Sequence, residues 1–188
     1  MNDTIDINFL SKIVFFLDFR QKNVQVWVKL WGNVVNYTKR NNRLFKGQFL
    51  YSIDSKGRIS IPAKLRKNFS PEANDSLVMT QGFGTCIDIY PYDQWQLIEE
   101  KLSKLNQFKP KDVMFLRMFL QFAAEDSLDS QSRVLIPQNL LDYAKIEKEV
   151  LILGALKKIE VWNPKLYEEY LKESKDTYEQ IAQEVMSL

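Results

Sequence analysis

Polar and apolar residues alternate over two neighbouring stretches of the chain, residues 48–53 and 58–61, and this period of two predicts β-strands. Between them, Asp54 can accept hydrogen bonds from backbone N–H groups, and Gly57 tolerates the positive φ of a tight turn. We therefore predict that the two strands pair as a hairpin, joined by a turn at residues 54–58.

A helical pattern follows this hairpin. Pro62 suits the first position of a helix, and Leu65 and Phe69 share one face at i, i+4 spacing. We predict a short helix here, with two more strands after it at residues 77–80 and 86–90.

Two longer helices are predicted in the middle of the chain. Residues 95–105 have an amphipathic pattern, with Trp95, Ile98 and Leu102 on one side. Residues 111–124 are helical in composition but apolar on nearly all sides, unlike a helix with one face in solvent. We expect this second helix to be buried, in the core or between subunits.

The first turn and its flanks occur twice in the sequence. Residues 52–62 read SIDSKGRISIP, and residues 127–137, 75 positions later, read SLDSQSRVLIP. Further strands are predicted at 150–153 and 159–162, followed by a helical segment from residue 164 onward. The chain is therefore predicted to be an α+β protein made of two fused copies of one small unit.

Basic residues are concentrated on the first copy. The chain carries 26 Lys and Arg against 24 Asp and Glu, which excludes a generally basic surface. Within residues 44–70, however, Asp54 is the only acidic residue, and the basic residues are Lys46, Lys56, Arg58, Lys64, Arg66 and Lys67. In the second turn, Gln131 and Ser132 stand where the first has Lys and Gly, so Arg133 is its only cation. The second half is expected to be structural.

Several kinds of chemistry are disfavoured by the composition. The sequence has no histidine, which removes the usual general base and the commonest transition-metal ligand. Its single cysteine, Cys86, is expected to pack as a small apolar residue, and Asp54 and Asp129 are expected to form the turns and orient their arginines. The apolar run at residues 13–17 is too short to span a membrane. We predict neither an enzyme nor a metal, cofactor, small-molecule substrate or membrane partner.

The repeated turn occurs together with Phe45-Lys46-Gly47, Tyr90-Pro91 and Glu160-Val161-Trp162. This combination resembles the MraZ family, whose members carry two tandem AbrB-like (SpoVT-AbrB) repeats, each marked by an Asp-x-x-x-Arg turn. The resemblance covers about residues 44–170 and implies a pseudo-twofold double-split β-barrel with flanking helices. The implied segments are an N-terminal extension (1–43), a first SpoVT-AbrB domain (48–95), connecting helices (96–122), a second SpoVT-AbrB domain (124–167) and a C-terminal helix (168–188).

The resemblance also implies a function. It implies a cytoplasmic, nucleoid-associated transcriptional regulator that assembles into homo-oligomeric rings. Such a protein binds short repeats in double-stranded DNA upstream of the division and cell-wall gene cluster containing its own gene, usually as a repressor. The DNA-binding residues expected here are Lys46, Lys56, Arg58, Lys64, Arg66, Lys67 and Arg133, on turns formed by Asp54, Gly57 and Asp129.

The residues themselves support a DNA partner on physical grounds. A basic two-stranded ribbon fits the major groove, which is about 12 Å wide, and an arginine there can pair with guanine O6 and N7. Lysines on the following helix would lie along phosphates, and a ring would engage several DNA repeats at once and so gain avidity.

Two alternative functions remain open from the sequence. The first is an AbrB-like antitoxin that binds DNA and also neutralises a protein partner through its C-terminal helix. The second is a ring-forming scaffold that does not bind DNA, with the repeats serving assembly alone.

Residues 1–43 match no part of the repeat and show no clean period. Members of the resembled family commonly begin with Met-Phe at the point where this sequence reads Leu44-Phe45. We therefore expect that residues 1–43 are either a loosely attached extension or are not translated in the native protein.

Overall fold

Strands and helices follow one another in the order that the duplicated unit predicts. The structure is a computed structural model and describes residues 44–173 and 176–186. Its strands are β1 (Phe45–Ser52), β2 (Arg58–Ser60), β3 (Ser76–Gln81), β4 (Ile87–Pro91), β5 (Ala124–Ser127), β6 (Arg133–Leu135), β7 (Glu149–Leu156) and β8 (Lys158–Trp162). Its helices are α1 (Ala63–Arg66), α2 (Tyr92–Leu102), α3 (Pro110–Leu120), α4 (Gln138–Tyr143), α5 (Pro164–Glu173) and α6 (Tyr178–Met186), with a 3₁₀ turn at Pro71–Ala73.

The first two strands do not pair with each other, so the predicted hairpin is wrong. Strand β1 runs antiparallel to β7, and β2 runs antiparallel to β6. The register explains the exchange, because β1 is paired along all eight of its residues with β7, whereas β2 has only three residues to offer. The turn between β1 and β2 remains, with the Asp54 N–H donating to the Arg58 carbonyl oxygen at 2.9 Å.

The two repeats are interlocked in one antiparallel sheet. The order of its six strands is β1-β7-β8-β4-β3-β5, and β2 and β6 form a separate two-stranded sheet. Strands β1 to β4 of the first repeat correspond to β5 to β8 of the second. If each strand is relabelled as its counterpart, the same strand order is obtained, counted from the opposite edge of the sheet. The strand order therefore has a pseudo-twofold symmetry, and each repeat supplies an outer strand to the other.

The core is built from equivalent residues of both repeats. Ile59 of β2 and Val134 of β6 are opposite each other in the two-stranded sheet, and both are fully buried. Leu65 of α1 and Leu140 of α4 are also fully buried in the same cluster. Burial of these matched side chains holds each turn and its helix against the six-stranded sheet.

Helix α1 forms where the sequence predicts it, although Pro62 precedes the first helical residue as the N-cap. Helix α2 is also present, with Trp95 buried. The prediction of a buried helix at residues 111–124 is wrong for the single chain, because α3 has no buried residue. An apolar composition does not distinguish a helix buried in its own chain from one whose outward face is left uncovered.

Helix α3 contacts the sheet through one side. The ring of Phe119 stacks on Trp95 with centroids 5.8 Å apart, and the Thr80 hydroxyl donates to the Phe119 carbonyl oxygen at 3.0 Å. On its other side, Met114 and Met118 are 63% and 50% exposed. The helix is thus fixed to the sheet while presenting apolar side chains outward.

No helix in the described parts of the chain combines the length and hydrophobicity that crossing a membrane requires. The interpretations of residues 1–43 lie outside the described residues. Within the predicted C-terminal helix at 168–188, residues 174–175 and 187–188 also lie outside them.

Candidate nucleic-acid interface

The first turn is organised around the carboxylate of Asp54. Its Oδ1 accepts the backbone N–H groups of Lys56 and Arg58 at 2.9 and 3.0 Å, and its Oδ2 accepts the Arg58 Nε at 2.7 Å. The Arg58 Nη2 also lies 2.7 Å from Oδ2. Gly57 has a φ of 80°, a conformation that favours glycine, and completes the turn. One aspartate therefore shapes the backbone and holds the arginine side chain at the same time.

The second turn repeats this arrangement. Oδ1 of Asp129 accepts the N–H groups of Gln131 and Arg133, both at 2.9 Å, and Oδ2 accepts Arg133 Nε and Nη2 at 2.9 and 2.8 Å. Ser132 takes the place of Gly57 with a φ of 61°. The loss of glycine has not changed the geometry of the turn.

The strand exchange brings the two turns together. The Ile61 N–H donates to the Ser132 carbonyl oxygen at 3.0 Å, and the Ile136 N–H donates to the Gly57 carbonyl oxygen at 2.9 Å. Each turn is thus bound by the strand end of the other repeat. The pair forms one structural unit, which we call the double turn (residues 54–58 and 129–133).

Side chains also cross between the repeats within this unit. Nη1 of Arg133 lies 3.8 Å from Oδ2 of Asp54, and Arg66 donates from Nη1 to the Ser132 hydroxyl at 2.6 Å. Arg66 additionally donates from Nε to the Ile61 carbonyl oxygen at 3.2 Å. The second repeat, which the sequence suggested to be structural, therefore contributes Arg133 directly beside the first turn.

The cations of this region differ in how freely they are presented. Lys56, Lys64 and Lys67 are exposed, the first on the turn and the others on α1 and at its C-cap. The side chains of Arg58 and Arg133 are 27% and 25% exposed because their aspartates hold them. The double turn, α1 and its C-cap residue Lys67 together carry six basic side chains against two carboxylates, which leaves a local excess of positive charge.

Lys46 is the one predicted site residue that the fold places elsewhere. It lies in β1 opposite Ala155 and is exposed. Ser52, at the turn end of the strand, is six positions further along the chain, a distance of about 20 Å in an extended strand. Lys46 therefore does not belong to the double turn.

The aspartates of the double turn are held in their ionised form. The hydrogen bond from the Arg58 side chain, followed by that from its backbone N–H, lowers the pKa of Asp54 to about 2. The equivalent bonds from Arg133 lower the pKa of Asp129. Both aspartates therefore stay ionised near neutral pH, where proteins bind DNA.

Sequence reasoning identified Ser132 only as a replacement for glycine and missed both its hydrogen bond with Arg66 and the contact between the turns. Both follow from the pairing of β2 with β6, which alternating polarity along one strand cannot reveal. The available signal was the duplication itself, because small units that occur in pairs commonly bury their surfaces against one another.

A second charged cluster lies in the middle of the sheet, away from the double turn in the strand order. Lys158 of β8 donates to both oxygens of Asp88 at 2.9 and 2.8 Å and lies 2.9 Å from Glu160. Burial raises the pKa of Asp88 in spite of the bonds from Lys158, and burial also raises the pKa of the neighbouring Cys86 thiol. Cys86 is fully buried, so the cluster has the character of a structural network. Among the described residues, no group of three or more Cys, Asp or Glu is placed to hold a metal ion.

Comparison with known proteins places these features in a family. A family model described as MraZ protein, antitoxin-like, matches the chain twice, at residues 44–118 and 119–187. A protein of Natranaerobius thermophilus named "Transcriptional regulator MraZ" is 38% identical over 143 residues, covering 76% of this chain and 97% of that protein.

Proteins of the same name are found in other bacteria. The protein of Caldanaerobacter subterraneus subsp. tengcongensis is 41% identical over 140 residues, covering 74% of this chain and 95% of that protein. The protein of Clostridium tetani is 41% identical over 145 residues, covering 77% and 99%. These relatives are named as regulators of transcription and not as enzymes. On the two family matches and these identities, the chain belongs to the MraZ family.

Proposed function

We propose that this chain is a sequence-specific DNA-binding transcriptional regulator and that the double turn with α1 is its DNA-binding surface. The observation that carries the proposal is the joining of the two Asp–Arg turns into one basic unit. The names of the relatives support the same function. The further proposal is that the protein acts in the cytoplasm, at the nucleoid, and represses the division and cell-wall gene cluster containing its own gene.

The arginines of the double turn are suited to reading bases. A guanidinium that its own aspartate already orients loses less conformational freedom on binding than a free arginine side chain does. Arg58 and Arg133 lie near the two ends of the short β2–β6 ribbon, since Arg58 pairs with Leu135 and Arg133 with Ser60. A ribbon of this kind fits the major groove, where arginine pairs with guanine O6 and N7.

The lysines are suited to the DNA backbone. Lys64 and Lys67 are exposed beside the turn, and no carboxylate among the described residues holds them in fixed positions in the way that Asp54 holds Arg58. Flexible point charges bind phosphate without regard to sequence, and each neutralised phosphate adds about 0.9 to the slope of binding against salt. The lysines would thus supply affinity and the arginines specificity.

A single surface with this number of cations binds DNA weakly at physiological salt. We propose that the chain assembles into a homo-oligomeric ring, so that several double turns engage several short DNA repeats together. Such multivalent binding raises apparent affinity by roughly 10² to 10⁴ without any new contact. We also propose that the two sheets close into a pseudo-twofold double-split barrel, as the symmetric strand order favours.

Footprinting the purified full-length protein on the DNA upstream of its own gene tests the proposal. We expect protection of short repeats at regular spacing, with loss of protection when the repeats are scrambled. Equal protection of native and scrambled DNA would show that the protein does not read sequence. A complete lack of protection at low salt would overturn DNA binding itself.

The antitoxin alternative has one observation in its favour, because the family model carries an antitoxin-like description. It requires a protein partner for the C-terminal helix. Purification of the protein from its native cells distinguishes the two functions, since an antitoxin would bring a stoichiometric second protein with it.

The scaffold alternative makes a different prediction, because a scaffold without a DNA site would not be retained on heparin in a salt-dependent way.

A further inference from the structure

Helix α3 presents an apolar face that the described part of its own chain leaves uncovered. Met114, Phe115 and Met118 are 63%, 45% and 50% exposed. The ring of Phe115 stacks on Phe119, which packs on Trp95, with centroids 5.7 Å apart, and Met114 and Met118 extend the apolar surface from Phe115 away from Trp95. Methionine-rich exposed surfaces of this kind are adaptable binding surfaces for apolar helices. We call these three residues the α3 face.

Helix α6 presents a complementary face. Tyr178, Ile181, Val185 and Met186 are 82%, 42%, 71% and 79% exposed, and their spacing places them on one side of the helix. We call these four residues the α6 face. Because both faces are exposed in the same chain, α6 does not cover the α3 of its own chain.

The start of α6 is well defined by its sequence. The Thr177 N–H donates to Oε1 of Gln180 at 2.8 Å, and the Gln180 N–H donates to the Thr177 hydroxyl at 3.3 Å. This reciprocal pair is a capping box, which stabilises the first turn of a helix. The preceding helix α5 is anchored to the sheet, since Tyr167 and Tyr170 each lie with ring centroids 5.2 Å from Trp162. Helix α6 is thus a capped helix with an exposed apolar face, and it follows in the chain a helix that is anchored to the sheet.

The two faces also complement each other in charge and length. Residues 101–121 hold five Lys and Arg and one Asp, whereas residues 164–186 hold three Lys and six Asp and Glu. The exposed Lys111 and Arg117 border the α3 face, and the exposed Glu179 borders the α6 face. At about 1.5 Å per residue, α3 and α6 are about 17 and 14 Å long, so one can lie along the other.

We infer that the α6 face of one copy docks on the α3 face of the next copy in the ring. This inference rests on the ring assembly proposed above and identifies its contact. Since the two faces are different, each chain donates one helix and receives another, and the interface is heterologous. Heterologous interfaces close into rings when the rotation between copies permits, whereas an α3–α3 contact would end at a dimer.

Complementation between two variants of the full chain tests the contact. One variant carries Met114→Glu and Met118→Glu, and the other carries Ile181→Glu and Val185→Glu. Glutamate is a good helix former, and all four positions are exposed, so the folds are expected to survive. Circular dichroism checks this, and light scattering after size-exclusion chromatography gives the mass. Phe83→Glu is the matched control, because Phe83 is 86% exposed but lies on neither face.

We expect each double variant alone to have the mass of a monomer, the Phe83→Glu control to form the wild-type assembly, and an equal mixture of the two double variants to form a dimer. The mixture stops at a dimer because only one intact α6 face and one intact α3 face remain in each pair. If the wild type assembles and either double variant still does so, the inferred contact is wrong while the ring stands. If the wild type is itself a monomer, the proposed ring fails and the contact with it.

Discussion

Single residues in the double turn combine structural and binding roles. Asp54 accepts two backbone N–H groups and the Arg58 side chain, and Asp129 does the same for the second turn. A carboxylate that shapes the backbone therefore also sets the direction of the arginine. The arrangement also lowers the net positive charge of the double turn, because a carboxylate lies beside each arginine.

Substitution of Arg58 tests whether this orientation serves base recognition. We expect Arg58→Ala to weaken binding to the native upstream repeats by about 10- to 100-fold, since a good bidentate pair with a base contributes about 1–3 kcal/mol of discrimination. Binding to scrambled DNA should change far less. Titration of both DNAs at one salt concentration by fluorescence anisotropy measures the two affinities.

Lys67→Ala is the matched control for this experiment. We expect it to weaken native and scrambled DNA alike and to reduce the slope of binding against salt by about 0.9, the value for one lost phosphate contact. The assignment of roles would be reversed if Lys67→Ala relaxed specificity and Arg58→Ala changed both affinities equally.

The need for glycine in the first turn can be tested by introducing the serine that the second turn has at the equivalent position. Gly57→Ser places an L side chain at a φ of 80°, and we expect a loss of about 1 kcal/mol in the free energy of unfolding with the fold retained. The added Cβ meets no atom closer than 3.5 Å, so the penalty is conformational rather than steric. Urea titration measures the loss, and the exposed Ser55→Ala should stay within about 0.5 kcal/mol of wild type. A neutral Gly57→Ser would mean that the turn relaxes to negative φ.

At the scale of elements, adjacent strands of the sheet are also joined by the buried charge cluster. Asp88 of β4 is opposite Glu160 of β8 in the register, and Lys158 bridges the two carboxylates. The side chain of Asp88 is only 4% exposed. Its charge is compatible with burial because Lys158 and the Tyr90 hydroxyl bind it.

We expect Lys158→Met to lower the free energy of unfolding by about 3 kcal/mol, because it leaves the Asp88 carboxylate buried without its cation. The double variant Asp88→Asn with Lys158→Met should recover part of this loss, since no uncompensated charge remains. Thermal and urea unfolding of the single and double variants provide the comparison. A double variant less stable than Lys158→Met alone would refute this account of the cluster.

The existence of most elements could be predicted from the sequence, but their partners could not. Period-two alternation at residues 48–53 and 58–61 identifies strands, and a good turn between two strands favours a hairpin. The hairpin does not form because β7, about a hundred positions later in the sequence, pairs with all eight residues of β1, whereas β2 has only three residues. Long-range pairing of this kind leaves no local pattern.

The candidate site was predictable to a similar degree. Repetition of the Asp-x-x-x-Arg turn and the local excess of basic residues identify Lys56, Arg58 and α1 from the sequence alone. Arg133 joins them because the strands are exchanged between the repeats. Lys46 is excluded because β1 is eight residues long and places it far from the turn. Both are consequences of tertiary structure.

At the scale of the whole molecule, neither repeat has a complete sheet of its own. All the pairing partners of β1 and β2 belong to the second repeat, and the partner of β5 in the sheet is β3 of the first. A chain cut between the repeats therefore leaves unpaired strand edges and an open core on both halves.

We expect residues 44–121 and residues 122–188 to be unfolded as separate monomers and to form a folded 1:1 complex when mixed. Circular dichroism, size-exclusion chromatography and a thermal melt of each half and of the mixture test this. A cooperative melt of residues 44–121 as a monomer would show that the exchanged strands are dispensable for folding.

The exchange of outer strands also bears on how such a gene can change. The second turn can do without the lysine and glycine of the first, because its carboxylate alone preserves the loop. Deleting that copy altogether is a different matter, since its strands complete the half that remains. Either unit can therefore change the sequence of its turn, but shortening the gene to one unit would leave the product without a partner for its outer strand.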